Sequence, residues 1–173
     1  MKQFFQSLSK PGSLCLLAGL FLLFNFLLSS TMPKEHALDL MFAYSADDAY
    51  GALAKMDLSQ RETYRIGIWA LDMPYMAVYF LLFSGLLIRL LKNTKVAWLP
   101  FGVLVMDLFE NLSVLKILAL YPVQNMSMAS VASLFTTSKW VLVVVLLVVL
   151  VFGLLSNSFS RKYLASKSAE VRI

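Results

Sequence analysis

Residues 141–155 read VLVVVLLVVLVFGLL and carry no charged or hydrogen-bonding side chain. Valine favours β-strands in water, but a lone strand inside a bilayer would leave its backbone N–H and C=O groups without partners. A helix satisfies those groups within the segment itself. The stretch therefore predicts a helix that crosses a membrane.

The composition of the whole chain supports a membrane protein. Of 173 residues, 60% are hydrophobic and 14% are charged, whereas a soluble domain has about half and about a quarter. A disordered chain needs the opposite balance, and Cys15, the single cysteine, excludes an intramolecular disulfide framework. The net charge of +5 does not by itself indicate nucleic-acid binding, and we expect no nucleic-acid partner.

Four segments have the length of a membrane span, which is about 20 apolar residues for a core about 30 Å thick. They are residues 13–30, 66–91, 96–120 and 129–155. For the first segment a cleaved signal peptide is the alternative, because Lys2 and Lys10 precede it. An uncut helix is favoured, since no clear small-x-small cleavage site follows it.

These spans predict an all-α fold, a four-helix transmembrane bundle formed by residues 1–156 as one domain. Helices 2, 3 and 4 are joined by short links and should be antiparallel neighbours. Residues 157–173 should form a polar cytoplasmic tail. In the long loop between helices 1 and 2, Ser45 precedes Asp47 and Asp48 as an N-cap precedes an acidic first turn. This pattern predicts an amphipathic helix at the mouth of the bundle, and whether it gates or only covers the bundle is left open.

Lysine and arginine collect on segments that should face the cytoplasm, as positive-inside sorting requires. Residues 31–65 are net acidic and residues 121–128 are uncharged, so both should lie outside the cell. We therefore predict a multi-pass protein of the bacterial inner (plasma) membrane with both termini in the cytoplasm. The basic residues that carry this prediction are Lys2, Lys10, Arg89, Lys92, Lys95, Arg161, Lys162, Lys167 and Arg172.

Helix 3 contains ionisable residues, which are costly at bilayer depth unless they are paired, neutral or in a wet cavity. Asp107, Glu110 and Asn111 are spaced three and one residues apart. At about 100° per residue they point from one side of the helix. They should lie near the membrane midplane and face the interior of the bundle.

Helix 2 offers a second polar face. Asp72, Tyr75 and Tyr79 share one side of it, and Pro74 cannot donate a backbone hydrogen bond, which predicts a kink. Lys139 and Arg65 are the candidate counter-charges. The predicted ligand-binding residues are Asp72, Tyr75, Tyr79, Asp107, Glu110 and Asn111.

Several functions fit such a cluster. The first is a cavity in the outer half of the bundle, between helices 2, 3 and 4, that binds membrane lipids or a small amphipathic ligand. The second is an enzyme of lipid or isoprenoid metabolism, with Glu110 as general acid or base and Asp107 as the other candidate. Interhelical contacts in a structural or accessory subunit, and proton-coupled transport, remain open. Partners left open are a second copy of the chain and another membrane protein.

Cofactor chemistry receives no support from the sequence. His36 is the only histidine and falls in the predicted outer loop, so no metal site is expected. No serine or cysteine lies beside a histidine, and no phosphate-binding glycine loop occurs. We therefore expect no cofactor.

A set of short motifs resembles an uncharacterised family of small four-helix integral membrane proteins found mainly in bacteria. The resemblance covers residues 44–155, and its most specific element is Asp-x-x-Glu-Asn within an apolar helix. It implies the same fold and the same site residues but no activity. The motifs are Arg61-x-x-Tyr64, Asp72-x-Pro74 with Tyr79, Asp107-x-x-Glu110-Asn111, Tyr121-Pro122 and Lys139-Trp140. A looser similarity in layout is to the emopamil-binding and sigma-2 receptor group, which implies a lipid or amine ligand.

Overall fold

The structure, a computed structural model, describes residues 2–170, with side chains described for residues 3, 4 and 6–157. No strand occurs within residues 2–170, which confirms the all-helical prediction. The helices of this part of the chain are α1 (Lys2–Leu8), α2 (Pro11–Thr31), α3 (Ala46–Lys55), α4 (Leu58–Gly67), α5 (Met73–Leu91), α6 (Trp98–Leu120) and α7 (Met126–Glu170).

Three helical stretches are long and apolar enough to cross a membrane, namely Pro11–Thr31, Leu58–Leu91 and Met126–Asn157. They are compatible with a multi-pass membrane protein. The remaining predicted span, residues 96–120, corresponds to α6, a helix of 23 residues that carries both Asp107 and Glu110 and is not among the three. Its place in a membrane stays a prediction.

The last helix extends beyond the predicted span. That span was expected to end at residue 155, but α7 continues to Glu170. The predicted polar tail, residues 157–173, therefore begins inside α7. From residue 158 onward its side chains lie outside the described residues.

The second predicted span contains an irregular turn. Between α4 and α5, residues Ile68–Asp72 form a π-helical turn, in which the N–H of Met73 bonds to the C=O of Ile68. Pro74 follows at once, and its ring nitrogen cannot donate to the carbonyl of Ala70. The regular hydrogen-bond pattern is therefore interrupted where the sequence indicated a kink, and Asp72 is the last residue of the irregular turn.

Residues 37–67, which we call the cap region, pack over one end of the helices. In α3, the Ser45 hydroxyl accepts the N–H of Asp48 at 3.1 Å, and Asp48 Oδ2 accepts the N–H of Ser45 at 2.9 Å. The apolar core beneath joins the cap region to α6 and α7 and includes Ala49, Tyr50, Leu53, Tyr64, Val114, Ile117, Ala129 and Ala132. The cap region is thus a layer whose buried side chains share one core with α6 and α7.

The four long helices are not packed symmetrically. α6 and α7 form the most extensive pair, and α5 packs against α2, α6 and α7. α2 packs on α5 but makes little contact with α7. Outward faces of α2 and α7 are apolar and exposed, as lipid-facing surfaces would be; they include Leu16, Leu22, Leu23, Phe26, Val144, Val148, Val151 and Phe152.

Gly85 allows the N-terminal helices to approach α5. A Cβ there would lie 2.8 Å from the Leu8 carbonyl oxygen and 2.9 Å from Leu14 Cδ2. Gly85→Ala should lower the free energy of unfolding by about 1–3 kcal/mol, because the backbone must shift. Gly19→Ala is the matched control, since nothing lies within 4 Å of its new Cβ. Equal stability of the two variants in one detergent would contradict this packing.

The stability of α3 should depend on pH. Hydrogen bonds from the hydroxyl and the N–H of Ser45 lower the pKa of the exposed Asp48 carboxyl below its ordinary value. A carboxylate with a lowered folded-state pKa stabilises the fold above its unfolded pKa, and the contribution is lost as the pH falls through the folded value. Amide hydrogens of α3 should therefore lose protection below about pH 4.

In hydrogen exchange, Asp48→Asn should remove this pH-dependent step from α3. Asp47→Asn is the control, because Asp47 is also exposed but is not part of the capping pair. A step that persists in Asp48→Asn would show that another group causes it.

Candidate functional site

The polar face of α6 is buried. Asp107 is 5% exposed, and Glu110 and Asn111 are fully buried. Their spacing places them on one side of the helix, and this side faces α5 and α7. The same helix exposes Lys116 and Phe109 to its surroundings.

Lys139 of α7 lies between the two carboxylates of α6. Its Nζ is 2.5 Å from Glu110 Oε2 and 3.3 Å from Asp107 Oδ1. The lysine itself is 9% exposed. Arg65, the other candidate counter-charge, instead pairs with Glu62 on α4 at 2.6 Å, and both side chains are about half exposed. Arg65 is therefore not part of the buried cluster.

Hydrogen bonds extend the cluster to α5. The Tyr79 hydroxyl donates to Asp107 Oδ2 at 2.9 Å, and Asn111 Nδ2 donates to Asp72 Oδ2 at 2.5 Å. The π-helical turn supplies Asp72, so the irregular backbone lies directly beside the cluster. Three helices are thus joined by polar contacts at the same level of the structure.

Thr136 completes the cluster from α7, one turn before Lys139. Its Oγ1 donates to Glu110 Oε1 at 2.9 Å. Sequence analysis missed this residue. A threonine three positions before a buried lysine shares its helix face, and that spacing was the available signal.

A cavity of about 460 Å³ lies beside the cluster. Of the six predicted ligand-binding residues, Asp72, Tyr75, Tyr79 and Asp107 line it, and so does Lys139. Glu110 and Asn111 do not. Most of the remaining wall is apolar and includes Phe21, Leu28, Phe83, Val103, Val143, Leu146 and Leu147.

The walls of the cavity include elements that the sequence did not assign to it. Residues of α5, α6 and α7 line it, and residues of α2 and of the start of the cap region line it as well. Asn25 of α2 donates to the hydroxyl of Tyr75 at 2.9 Å. As a polar residue within the first apolar run, Asn25 was the only sequence signal for this wall.

The cap region closes one end of the cavity and is held by hydrogen bonds. The buried Tyr64 hydroxyl accepts the N–H of Leu38 at 2.9 Å and donates to Asp39 Oδ1. Trp140 Nε1 donates to the carbonyl of Asp39 at 3.3 Å. Asp39 and Trp140 both line the cavity, so this end of its wall is fixed to α4 and α7.

Tyr44 joins the cap region to the cluster. Its hydroxyl is 3.4 Å from Thr136 Oγ1, and its N–H donates to Ser133 Oγ at 3.1 Å. Burial raises the pKa of Tyr44 to about 12. Its hydroxyl therefore keeps its proton at neutral pH and remains able to donate a hydrogen bond.

Metal binding finds no support among the described side chains, where no group of three or more His, Cys, Asp or Glu residues could hold an ion. The carboxylates that come together do so around an ammonium group. The cluster therefore keeps several charged side chains buried, and some of these side chains line the cavity.

Comparison with protein-family models, with curated proteins and with solved structures finds no match for this chain.

Lys139 should be required for the stability of the bundle. Lys139→Met leaves Asp107 and Glu110 facing each other without a counter-charge, which should cost about 3–5 kcal/mol of unfolding free energy. Lys116→Met, at an exposed position on α6, should change it by about 0.5 kcal/mol or less. Chemical unfolding in one detergent gives the comparison.

A triple variant distinguishes the loss of stability caused by the unpaired charges from the loss caused by changed side-chain packing. Adding Asp107→Asn and Glu110→Gln to Lys139→Met should recover much of the lost stability, because no uncompensated charge remains. If Lys139→Met is as stable as Lys116→Met, the ion cluster does not hold the helices together.

Proposed function

We propose that this chain is an integral protein of the bacterial plasma membrane, in which α2, α5 with the π-helical turn before it, α6 and α7 cross the bilayer. Three of these stretches have the required length and apolar character. The distribution of Lys and Arg supports cytoplasmic termini. The family of small bacterial membrane proteins that the motifs resemble remains part of this proposal.

The proposal that α6 crosses the bilayer requires an explanation, because charged residues are costly in lipid. Its carboxylates Asp107 and Glu110 are almost completely covered by neighbouring helices and are paired with Lys139. The side of α6 away from the cluster exposes Phe101, Phe109 and Leu112, and also Lys116, which lies about one turn from the end of the helix. From there the lysine can extend its ammonium group to the membrane surface, and the rest of this outer face suits a bilayer.

The function that the geometry supports best is binding of a small amphipathic or lipid-like ligand. The observation that carries it is the cavity of about 460 Å³, whose mostly apolar wall includes the charged residues Asp72, Asp107 and Lys139. Ligand pockets of this size are concave, mostly apolar, and contain a few placed polar groups. These charged groups would orient the polar part of such a ligand.

An acid or base role for Glu110 is less well supported. Its side chain is fully buried, bonds to Thr136 and Lys139, and does not line the cavity. A catalytic acid must be within hydrogen-bond reach of the substrate, directly or through a water. We assign Glu110 to holding Lys139 in place, and Asp107 is the carboxylate of this pair that a ligand can approach.

The role of a structural or accessory subunit is supported by a different observation. Two hydrogen bonds join α6 to the helix before it in the chain: Tyr79 bonds to Asp107, and Asn111 bonds to Asp72. Such contacts fix the register of helices in a membrane whether or not a ligand binds. The two roles predict different results when a larger side chain fills the cavity: only the binding role predicts that a bound lipid is lost.

Filling the cavity tests ligand binding. Val143 lines it, whereas its neighbour Val144 does not and is 57% exposed. Val143→Trp should remove a lipid-like molecule that copurifies with the protein in nanodiscs, as measured by native mass spectrometry and lipid analysis. Val144→Trp should retain it. Identical bound lipid in the two variants, at equal folded yield, would favour the purely structural role.

A further inference from the structure

The charges beside the cavity do not balance. Four carboxyl groups, on Asp39, Asp72, Asp107 and Glu110, lie on or directly behind the cavity wall, against two ammonium groups, on Lys34 and Lys139. Lys139 contacts Asp107 and Glu110. Within the described part of the chain, Asp72 has the Asn111 amide as its hydrogen-bond partner and forms no ion pair. A cation next to Asp72 would reduce the cost of this carboxyl group in a low-dielectric place.

Aromatic rings surround the cavity next to Asp72. The ring of Tyr75 lies 5.5 Å from that of Phe21 and 5.4 Å from that of Tyr79, and Phe21 lies 5.6 Å from Phe83. All four residues line the cavity. Aromatic faces attract ammonium groups, most strongly where water is excluded. A carboxylate beside several rings is the chemistry that recognises an alkylammonium head.

The other charges on the cavity wall do not reverse this preference. Lys139 is already paired with two carboxylates, and Lys34 is exposed in the segment after α2. An anionic head would have to approach Asp39, Asp72 and Asp107, which line the same cavity. The repulsion between like charges disfavours this.

The cavity has a side that neighbouring helices leave open. α2 packs on α5 and α7 packs on α6, while α2 and α7 make little contact with each other. Exposed residues on both helices, Ser29 and Leu147, line the cavity at this place. The end under the cap region is closed by the bonds of Tyr64 and Trp140 to Asp39. The opening between α2 and α7 would face lipid.

From these observations we propose that the ligand is an amphiphile with a cationic ammonium head, bound beside Asp72, whose apolar part leaves the cavity between α2 and α7. This inference rests on the proposed function, because it specifies the ligand of the same cavity. It adds the sign of the head charge and the side from which the ligand is reached.

Three amphiphiles that share a fourteen-carbon chain test the sign of the charge. Tetradecyltrimethylammonium, tetradecylphosphocholine and myristate are titrated onto the full chain in nanodiscs, and binding is measured by native mass spectrometry. The cation should bind at least about tenfold more tightly than myristate, as an ammonium ion on rings and a carboxylate requires. Asp72→Asn should remove that preference. Asp47→Asn removes a carboxyl group that does not line the cavity and should keep it.

Phe21→Leu is the second variant, in case Asp72→Asn does not fold. It removes one ring and should weaken binding of the cation several-fold while leaving myristate unchanged. Equal binding of all three amphiphiles, or tighter binding of myristate, would overturn the cationic head but leave the proposed function standing. Binding of none of them would count against the cavity as a lipid site, and so against the proposed function itself.

Access from the side is tested by the rate of binding. Leu147→Trp places a bulky ring at the opening, and Val148→Trp places one on an exposed position of the same helix that does not line the cavity. Association of tetradecyltrimethylammonium should slow several-fold in Leu147→Trp and remain unchanged in Val148→Trp. Equal rates in both variants would overturn the route between α2 and α7.

Discussion

The contact of Lys139 with Asp107 and Glu110 determines how α5, α6 and α7 meet. A lysine and two carboxylates that are all less than a tenth exposed must lie next to one another, because none can be buried alone at acceptable cost. That requirement fixes how α7 sits against α6. Through Tyr79 and Asn111 the same cluster fixes α5, and the π-helical turn lets Asp72 join it.

The cavity exists because α2 packs on α5 and makes little contact with α7. Gly85 has no side chain and so permits the close approach of α2 to α5, and the hydrogen bond between Asn25 and Tyr75 stabilises it. α7 packs on α6. A space remains between α2 and α7, with the charged cluster at its inner wall and the cap region over one end. A bundle with four equivalent contacts would have closed this space with apolar side chains.

Periodicity predicted the parts of the site that lie on one helix. Asp107, Glu110 and Asn111 could be placed on a common buried face from their spacing, and Lys139 was one of two candidates to neutralise them. The other candidate, Arg65, was considered because the second span was expected to begin at residue 66. Arg65 lies in α4, which begins at Leu58, and it is half exposed and paired with Glu62. Contacts between α2 and the other helices could not be predicted, because an almost uniformly apolar helix has no face that its sequence distinguishes.

The most direct test of a ligand-binding cavity is a structure of the protein in nanodiscs made with native lipid, determined by cryo-electron microscopy with a bound fiducial. We expect elongated density between α2 and α7, with its polar end beside Asp72 and its other end at Leu147. An α2 that packs closely on α7, with no space between them and the polar groups bonded only to one another, would contradict the binding site and leave the cluster with a structural role.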